Sequence, residues 1–247
     1  MPKFAHDTIV PFKESTLSKK QQVANMFDDI AYRYDFLNHF LSAGIDVTWR
    51  KKAIKQLKPL HPQSVLDVAT GTGDVAILTY KILHPQKITG IDISEGMLEI
   101  GRKKIAKLGL EKEIELLSGD CESLNFPDAS FDAVTVAFGV RNFENLEKGL
   151  KEMLRVLKPG GKLVVLEFSK PKQVAFKGIY SLYMKIVAPG IGKMISKNKD
   201  AYQYLNDSVQ KFPEGKAFIE ILNTAGFKNT YLETLTLEIC SIYCGSK

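Results

Sequence analysis

A strand-to-helix turn, Val65-Leu66-Asp67-Val68-Ala69-Thr70-Gly71-Thr72-Gly73-Asp74, is the stretch of this sequence best suited to hold a ligand. Its glycines let the backbone reverse sharply and let a ligand come close to it. Asp92 follows Gly71 by 21 residues, at the end of the next apolar run, where a carboxylate can accept from both hydroxyls of a ribose. The pairing favours an adenosine-containing ligand. NAD-binding proteins use the same turn, so the glycines alone do not decide between dinucleotide and other adenosyl ligands. Asp67 lies four residues before Gly71, inside the strand, where a negative charge opposes a pyrophosphate and suits a sulfonium with an ammonium. Gly119-Asp120-Cys121 ends the third apolar run, where Asp120 can accept from an adenine amino group. Read structurally, Asp67 is a strand-end cap and Asp120 a turn residue.

The elements that must position these groups follow from periodicity. From Ser64 onward the short apolar runs SVLDVA, KITGIDI, IELLSG, FDAVTVAF and KLVVLEF alternate with helical patterns beginning near Asp74, Ser94 and Leu146. That alternation predicts a parallel α/β sheet. Ser94 is placed to cap its helix, and Pro159-Gly160-Gly161 to stop the helix ending at Leu157 before the next strand. Upstream, spacing predicts helices over about 18–35 and 47–58, closed by Pro59 and Pro62. Downstream, a helix from Pro213 to Ala225 ends at a left-handed Gly226, and NTYLETL and LEICSIYCG form an antiparallel pair.

Composition narrows the class. With 45% hydrophobic and 25% charged residues over 247 positions, the chain reads as an ordinary globular protein, neither fibrous nor disordered. The formal charge of +6 is too small for a dedicated nucleic-acid binder. It is also local. Seven lysines and no acidic residue lie between Lys170 and Lys199, so the rest of the chain carries −1. Three cysteines and four scattered histidines predict a reducing cytoplasm and no metal site, with Cys240 and Cys244 as small core residues on one strand face. The first 20 residues have no apolar segment of the kind that starts a signal peptide or anchor.

The stretch from Ser64 to Phe168 resembles the class I S-adenosylmethionine-dependent methyltransferases, in which these positions form the glycine loop, the ribose acid and the adenine acid. The resemblance narrows further. Tyr34-Asp35-Phe36-Leu37-Asn38 with Ser42, Gly44, Asp46 and Trp49-Arg50, and Arg155 to Ser169 without a gap, are similar to the two signatures of the UbiE/COQ5 family. Phe138-Gly139-Val140-Arg141-Asn142, Ala201-Tyr202-Gln203-Tyr204-Leu205 and Phe212-Pro213 resemble other parts of that family, which methylates a ring carbon in ubiquinone and menaquinone biosynthesis. Asp46 stands where the family often has His, and Ala137 where some members place Ser.

The resemblance implies a Rossmann-like α/β fold, with a seven-stranded, mostly parallel sheet whose last strand is antiparallel and helices on both faces. A single domain over 1–247 is expected, with a helical N-terminal cap (1–62), a cofactor core (63–169), a basic aromatic helical lid inserted after the fifth strand (170–212) and a segment completing the sheet (213–247). It implies S-adenosyl-L-methionine as cofactor, held by Asp67, Gly71, Thr72, Gly73, Asp92, Ile93, Met97, Asp120, Cys121 and Ala137. The implied reaction is C-methylation of a reduced prenylated quinone. Carbon attacks only from an electron-rich ring, so a phenolate must form and be stabilised. Arg141 is expected to orient and stabilise it, with Tyr34 holding a water that takes the proton, because a guanidinium stays protonated. Asn38, Asn142, Tyr180, Tyr183 and Tyr204 are expected around the substrate. His39 is left outside the catalytic set. Family members are often dimers, so the resemblance implies a homodimer; charge and cysteine usage predict no nucleic-acid partner and a cytoplasmic protein, and the lysine-rich aromatic segment reads either as a solvated surface or, in preference, as a lid that meets the membrane surface and admits an isoprenoid tail. Demethylmenaquinol is the expected substrate; a ubiquinone precursor, another small hydroxylated molecule, or a basic non-enzymatic binding module are the alternatives.

Overall fold

The computed structural model describes residues 4–41, 44–170 and 199–247. Five of the apolar runs become the parallel strands β1 (Ser64–Val68), β2 (Lys87–Asp92), β3 (Ile114–Ser118), β4 (Phe131–Ala137) and β5 (Leu157–Phe168). β1 and β4 are almost continuously buried, as strands covered on both faces must be. The closing pair, β6 (Lys228–Leu235) and β7 (Cys240–Ser246), is antiparallel, and β7 inserts beside β5. The order is therefore β3-β2-β1-β4-β5-β7-β6, seven strands with only β7 reversed. Chain direction across the sheet turns over between β1 and β4, and a crevice opens at their carboxyl ends.

Helices cover both faces: α1 (Lys19–Leu41), α2 (Ile45–Lys55), α3 (Asp74–Leu83), α4 (Glu95–Leu108), α5 (Leu146–Val156), α6 (Lys199–Lys211) and α7 (Lys216–Ala225). Ser94 caps α4, its hydroxyl accepting from Met97 N, and Asn145 caps α5. One core unites Val134, Leu150, Phe218 and Tyr243; the other unites Trp49, Leu57, Ile88 and Leu98 with the buried Cys240 and Cys244. Gly226 ends α7 at φ +107, as its position predicts.

Three boundaries differ from the sequence reading. Pro159-Gly160-Gly161 does not separate helix from strand, because β5 already begins at Leu157. Its pairing jumps from Phe131↔Leu157 to Ala133↔Lys162, so residues 158–161 bulge out of a continuous ladder. α7 starts at Lys216 instead of Pro213, after Gly215 donates its N–H to the Tyr243 hydroxyl. α1 runs on to Leu41, past the expected end near residue 35, and packs along α4. Within the expected lid, α6 is described and 171–198 lie outside the described residues.

Candidate functional site

Two joined clefts lie at the carboxyl edge where β1 and β4 part. The larger encloses about 690 Å³ between the ends of β1, β2 and β4 and the inner face of α1, and Gly71, Asp92, Ile93, Met97, Asp120, Cys121, Ala137 and Asn142 all line it. The smaller, about 390 Å³, is lined by Arg50, Asp67, Thr72 and Asp74 and shares Ala69, Gly71, Ala137 and Phe138 with the first.

The glycine loop takes its shape from the carboxylate across from it. Gly71 adopts φ +55 with open space where a side chain would stand, so conformation and not crowding calls for glycine there. Its N–H donates to Asp92 Oδ2 at 2.8 Å, and Ser94 N donates to Oδ1 at 2.9 Å. Asp92 is thus fixed at the end of β2 by two backbone donors. Loss of solvent raises its pKa and these bonds oppose the rise. Gly73 heads α3 and sends its N–H back to Thr70 O, behind the loop. Ala69 and Phe138, the residues after β1 and β4, both carry positive φ, +53 and +59, a strained backbone of the kind that gathers at functional sites.

At one end of the larger cleft Asp120 receives Glu122 N on Oδ1 at 2.9 Å and the Lys20 ammonium on Oδ2, and Lys20 also reaches Glu122 at 3.4 Å. Lys20, Val23 and Phe27 therefore bring α1 over this end. In the smaller cleft Asp67 accepts from the hydroxyls of Thr70 and Thr135, each at 2.6 Å, and is 1% exposed. Burial lifts its pKa from 3.8 to about 6, although the two hydroxyls pull it down.

Arg50 was not singled out by sequence as a binding residue. It is 7% exposed, with Nη1 3.0 Å from Asp46 and 3.4 Å from Asp74, and its Nε has no hydrogen-bond partner among the described residues. Asp74 is shared with Lys104, which also bonds the Thr72 hydroxyl at 2.9 Å. The signal in sequence was its place directly after Trp49, whose indole anchors α2 to Thr236. Asp46, standing where His is common, has the clear role of holding this guanidinium.

Arg141 sits in a short 3-10 turn, Val140–Asn142, after β4. It lies behind the crevice floor and is not part of either cleft's lining. Its Nη1 donates to Phe138 O at 2.5 Å and to Glu167 Oε1 at 2.7 Å, and its guanidinium carbon is 5.5 Å from the centroid of Phe168. Glu167 is fully buried; burial raises its pKa, opposed by the Arg141 charge. The Nε of Arg141 is buried with no partner among the described residues. Asn142 is brought to the cleft wall, where its Oδ1 accepts from the Tyr204 hydroxyl at 3.1 Å. Tyr204 itself is 2% exposed and packs on Val23 and Met26. Tyr34 and Asn38 fall on the last turns of α1, and their side chains lie outside the described residues, as do Tyr180 and Tyr183.

Comparisons with known proteins show the fold and the family. A Thermotoga maritima SAM-dependent methyltransferase superposes with a TM-score of 0.62, covering 91% of this chain and 99% of its own at 20% identity, a likeness of fold. The demethylmenaquinone methyltransferase of Bacteroides fragilis is 48% identical over 244 residues, 99% of each chain. The ubiquinone/menaquinone biosynthesis C-methyltransferase UbiE of Geotalea daltonii is 47% identical over 230 residues, 93% of this chain and 97% of its own. A family model matches residues 15–247, so the chain belongs to the ubiE/COQ5 methyltransferase family.

Proposed function

We propose that the protein uses S-adenosyl-L-methionine to methylate a ring carbon of a reduced prenylated quinone, with demethylmenaquinol as its substrate. The 48% identity to a demethylmenaquinone methyltransferase over nearly the whole of both chains carries this reading. The residues present suit the cofactor. Asp92 offers the ribose a carboxylate already oriented by Gly71 and Ser94, and Asp120 and Cys121 border the adenine end. Asp67 and the unpartnered Nε of Arg50 face a methionine's ammonium and carboxylate with charges of the opposite sign. When bound, the cofactor supplies an electrophilic methyl group on a positively charged sulfur.

The chain's own part is to make and hold the nucleophile. Arg141, fixed through Nη1 by Glu167 and by the Phe138 carbonyl, keeps its Nε–H without a partner among the described residues, and a phenolate oxygen is an acceptor it suits. Asn142 presents its amide at the same turn. Tyr34 takes the role of holding a water for the phenol proton, and Asn38, Tyr180 and Tyr183 that of substrate contacts. Tyr204 acts through Asn142. Phe138 and Phe168, stacked with 4.5 Å between centroids, put aromatic surface beside the Arg141 guanidinium, and low-dielectric surroundings strengthen the charge interactions that stabilise a phenolate.

The lysine-rich 170–199 segment is read as a lid that meets an anionic membrane, each lysine contributing about 1 kcal/mol near such a surface. No helix among the described residues is long and apolar enough to cross a membrane, so the association would be peripheral, on the cytoplasmic side; a homodimer belongs to the same reading. Incubation with methyl-labelled S-adenosyl-L-methionine and reduced demethylmenaquinone on anionic vesicles should label the ring, with vesicle binding lost as salt is raised. Label on a demethoxyubiquinone analogue instead would move the substrate to the ubiquinone branch, which the Geotalea relative's name includes alongside menaquinone. Label on neither would sink the assignment, and salt-insensitive vesicle binding would remove the electrostatic lid.

Asp67 ties cofactor affinity to pH. Its folded pKa of about 6 lies above the ordinary 3.8, so the native state holds an extra proton between those values and loses stability as pH rises through them. A cation bound beside it favours the ionised form. Affinity for S-adenosylhomocysteine, which keeps the ammonium, should therefore rise about tenfold from pH 5 to pH 7 and level off above, with release of one proton. Calorimetry in two buffers of different ionisation enthalpy measures this, and Asp67→Asn should flatten the curve.

A further inference from the structure

α1 is joined to the ribose seat by one carboxylate that takes no part in the chemistry above. Asp28 Oδ1 accepts from the Ser94 hydroxyl at 2.6 Å and from Gly96 N at 2.9 Å. It thus caps α4 from another helix, at the end where the helix dipole favours a negative charge. Ser94 is fully buried, and its N–H donates in turn to Asp92 Oδ1, whose partner oxygen receives Gly71 N. One chain of hydrogen bonds runs from α1 through Ser94 and Asp92 to the glycine loop. A side chain at Gly96 would stand 3.0 Å from Asp28 Oδ1 and 3.4 Å from its Cα, so α1 rides directly on the α4 backbone there.

The same helix has two further attachments to the site. Eight residues before Asp28, Lys20 holds Asp120 and Glu122, and Val23 and Phe27 line the cleft between them. Six residues after Asp28, about 9 Å along the axis, comes Tyr34, and Asn38 follows one turn later. One continuous helix therefore carries residues at the adenine end, at the ribose end and in the segment assigned to the quinol.

We propose that Asp28 is a positioning residue that couples the two binding events: a filled ribose seat fixes α1, and a fixed α1 presents the substrate residues. Cofactor and quinol binding then reinforce one another, and by linkage the reinforcement is equal in both directions. The inference rests on the reading of α1 as the substrate helix, while its first arm needs no quinol.

The test compares wild type with Asp28→Ala and Asp28→Asn by calorimetric titration with S-adenosylhomocysteine, alone and with a short-tailed menaquinol, and by steady-state rates. Asp28→Ala should weaken S-adenosylhomocysteine about tenfold, raise the quinol KM, and reduce to near unity the factor by which each ligand tightens the other. Asp28→Asn keeps the acceptor oxygen and should recover most of both. A lower melting temperature with affinity and coupling unchanged would overturn the proposal and make the contact structural only. Should Asp28→Ala fail to fold, Ser94→Ala removes the intermediate hydroxyl and must move affinity and coupling the same way. If wild type methylates no quinol, the function fails separately, and the S-adenosylhomocysteine arm still reports on Asp28.

Discussion

Arg141→Ala should lower stability by about 3–5 kcal/mol and abolish turnover, because it leaves the carboxyl of Glu167 buried without its partner. At roughly 2–4 °C per kcal/mol for a chain of this size, the melting temperature should fall by about 10 °C. Loss of activity in that variant would by itself say little about chemistry. The informative protein is Arg141→Met with Glu167→Gln, which removes the charge pair and keeps one amide oxygen as acceptor for the Phe168 N–H, the shorter of the two backbone bonds that Glu167 now receives. Replacing both charges of a buried pair is close to neutral for stability. The double variant should melt near wild type, bind S-adenosylhomocysteine within about threefold, and remain inactive, since no guanidinium is left for the phenolate oxygen. Recovered turnover would reduce Arg141 to a structural strut. Thermal melts, titration and initial rates separate these outcomes.

Asp92→Ala should have the converse signature, with cofactor binding lost first. Hydrogen bonds to a charged group contribute about 1.5–3 kcal/mol each, and two ribose hydroxyls are at stake, so affinity should fall at least a hundredfold. The change also deprives Gly71 N and Ser94 N of their acceptor, which loosens the loop and the α4 cap together. Asp92→Asn retains one acceptor oxygen and should lose less. Titration with S-adenosylhomocysteine reads the effect directly; an affinity unchanged in Asp92→Ala would remove the ribose assignment and with it the direction in which the cofactor lies. Together the two sets separate a change in the cleft lining, at Asp92, from one in the buried pair of Arg141 and Glu167.

Much of the larger cleft's lining was legible in the residues. Gly71 of the glycine loop, Asp92, Asp120 and Ala137 fall on one cleft because each ends, or closely follows, a strand of a parallel sheet, and strand ends on one edge are implied once alternating apolar runs and helices are recognised. Asp67 and Thr72 were legible as neighbours of that loop, although they border the adjoining cleft and not the main one. The surroundings of Arg141 and Tyr204 were less legible. Arg141 was singled out as a cation at the crevice, yet its guanidinium is turned into the protein against Glu167, 26 residues away on the neighbouring strand. Tyr204 was expected against substrate and instead fills a core pocket, reaching the cleft only through Asn142.

What the sequence by itself determined is therefore local. The α/β alternation, the Ser94 and Gly226 caps, the sharp turn at Gly71 and the closing hairpin all follow from periodicity and from backbone preferences acting within a few residues. Tertiary structure decided which charges face one another. Lys20 with Asp120, Asp28 with Ser94, and Arg50 with Asp74 are 100, 66 and 24 residues apart. Their meeting depends on strand order and on how α1 and α2 pack over the sheet edge. No propensity or spacing encodes such pairings, because a side chain's partner is set by the rotation of one packed helix relative to another.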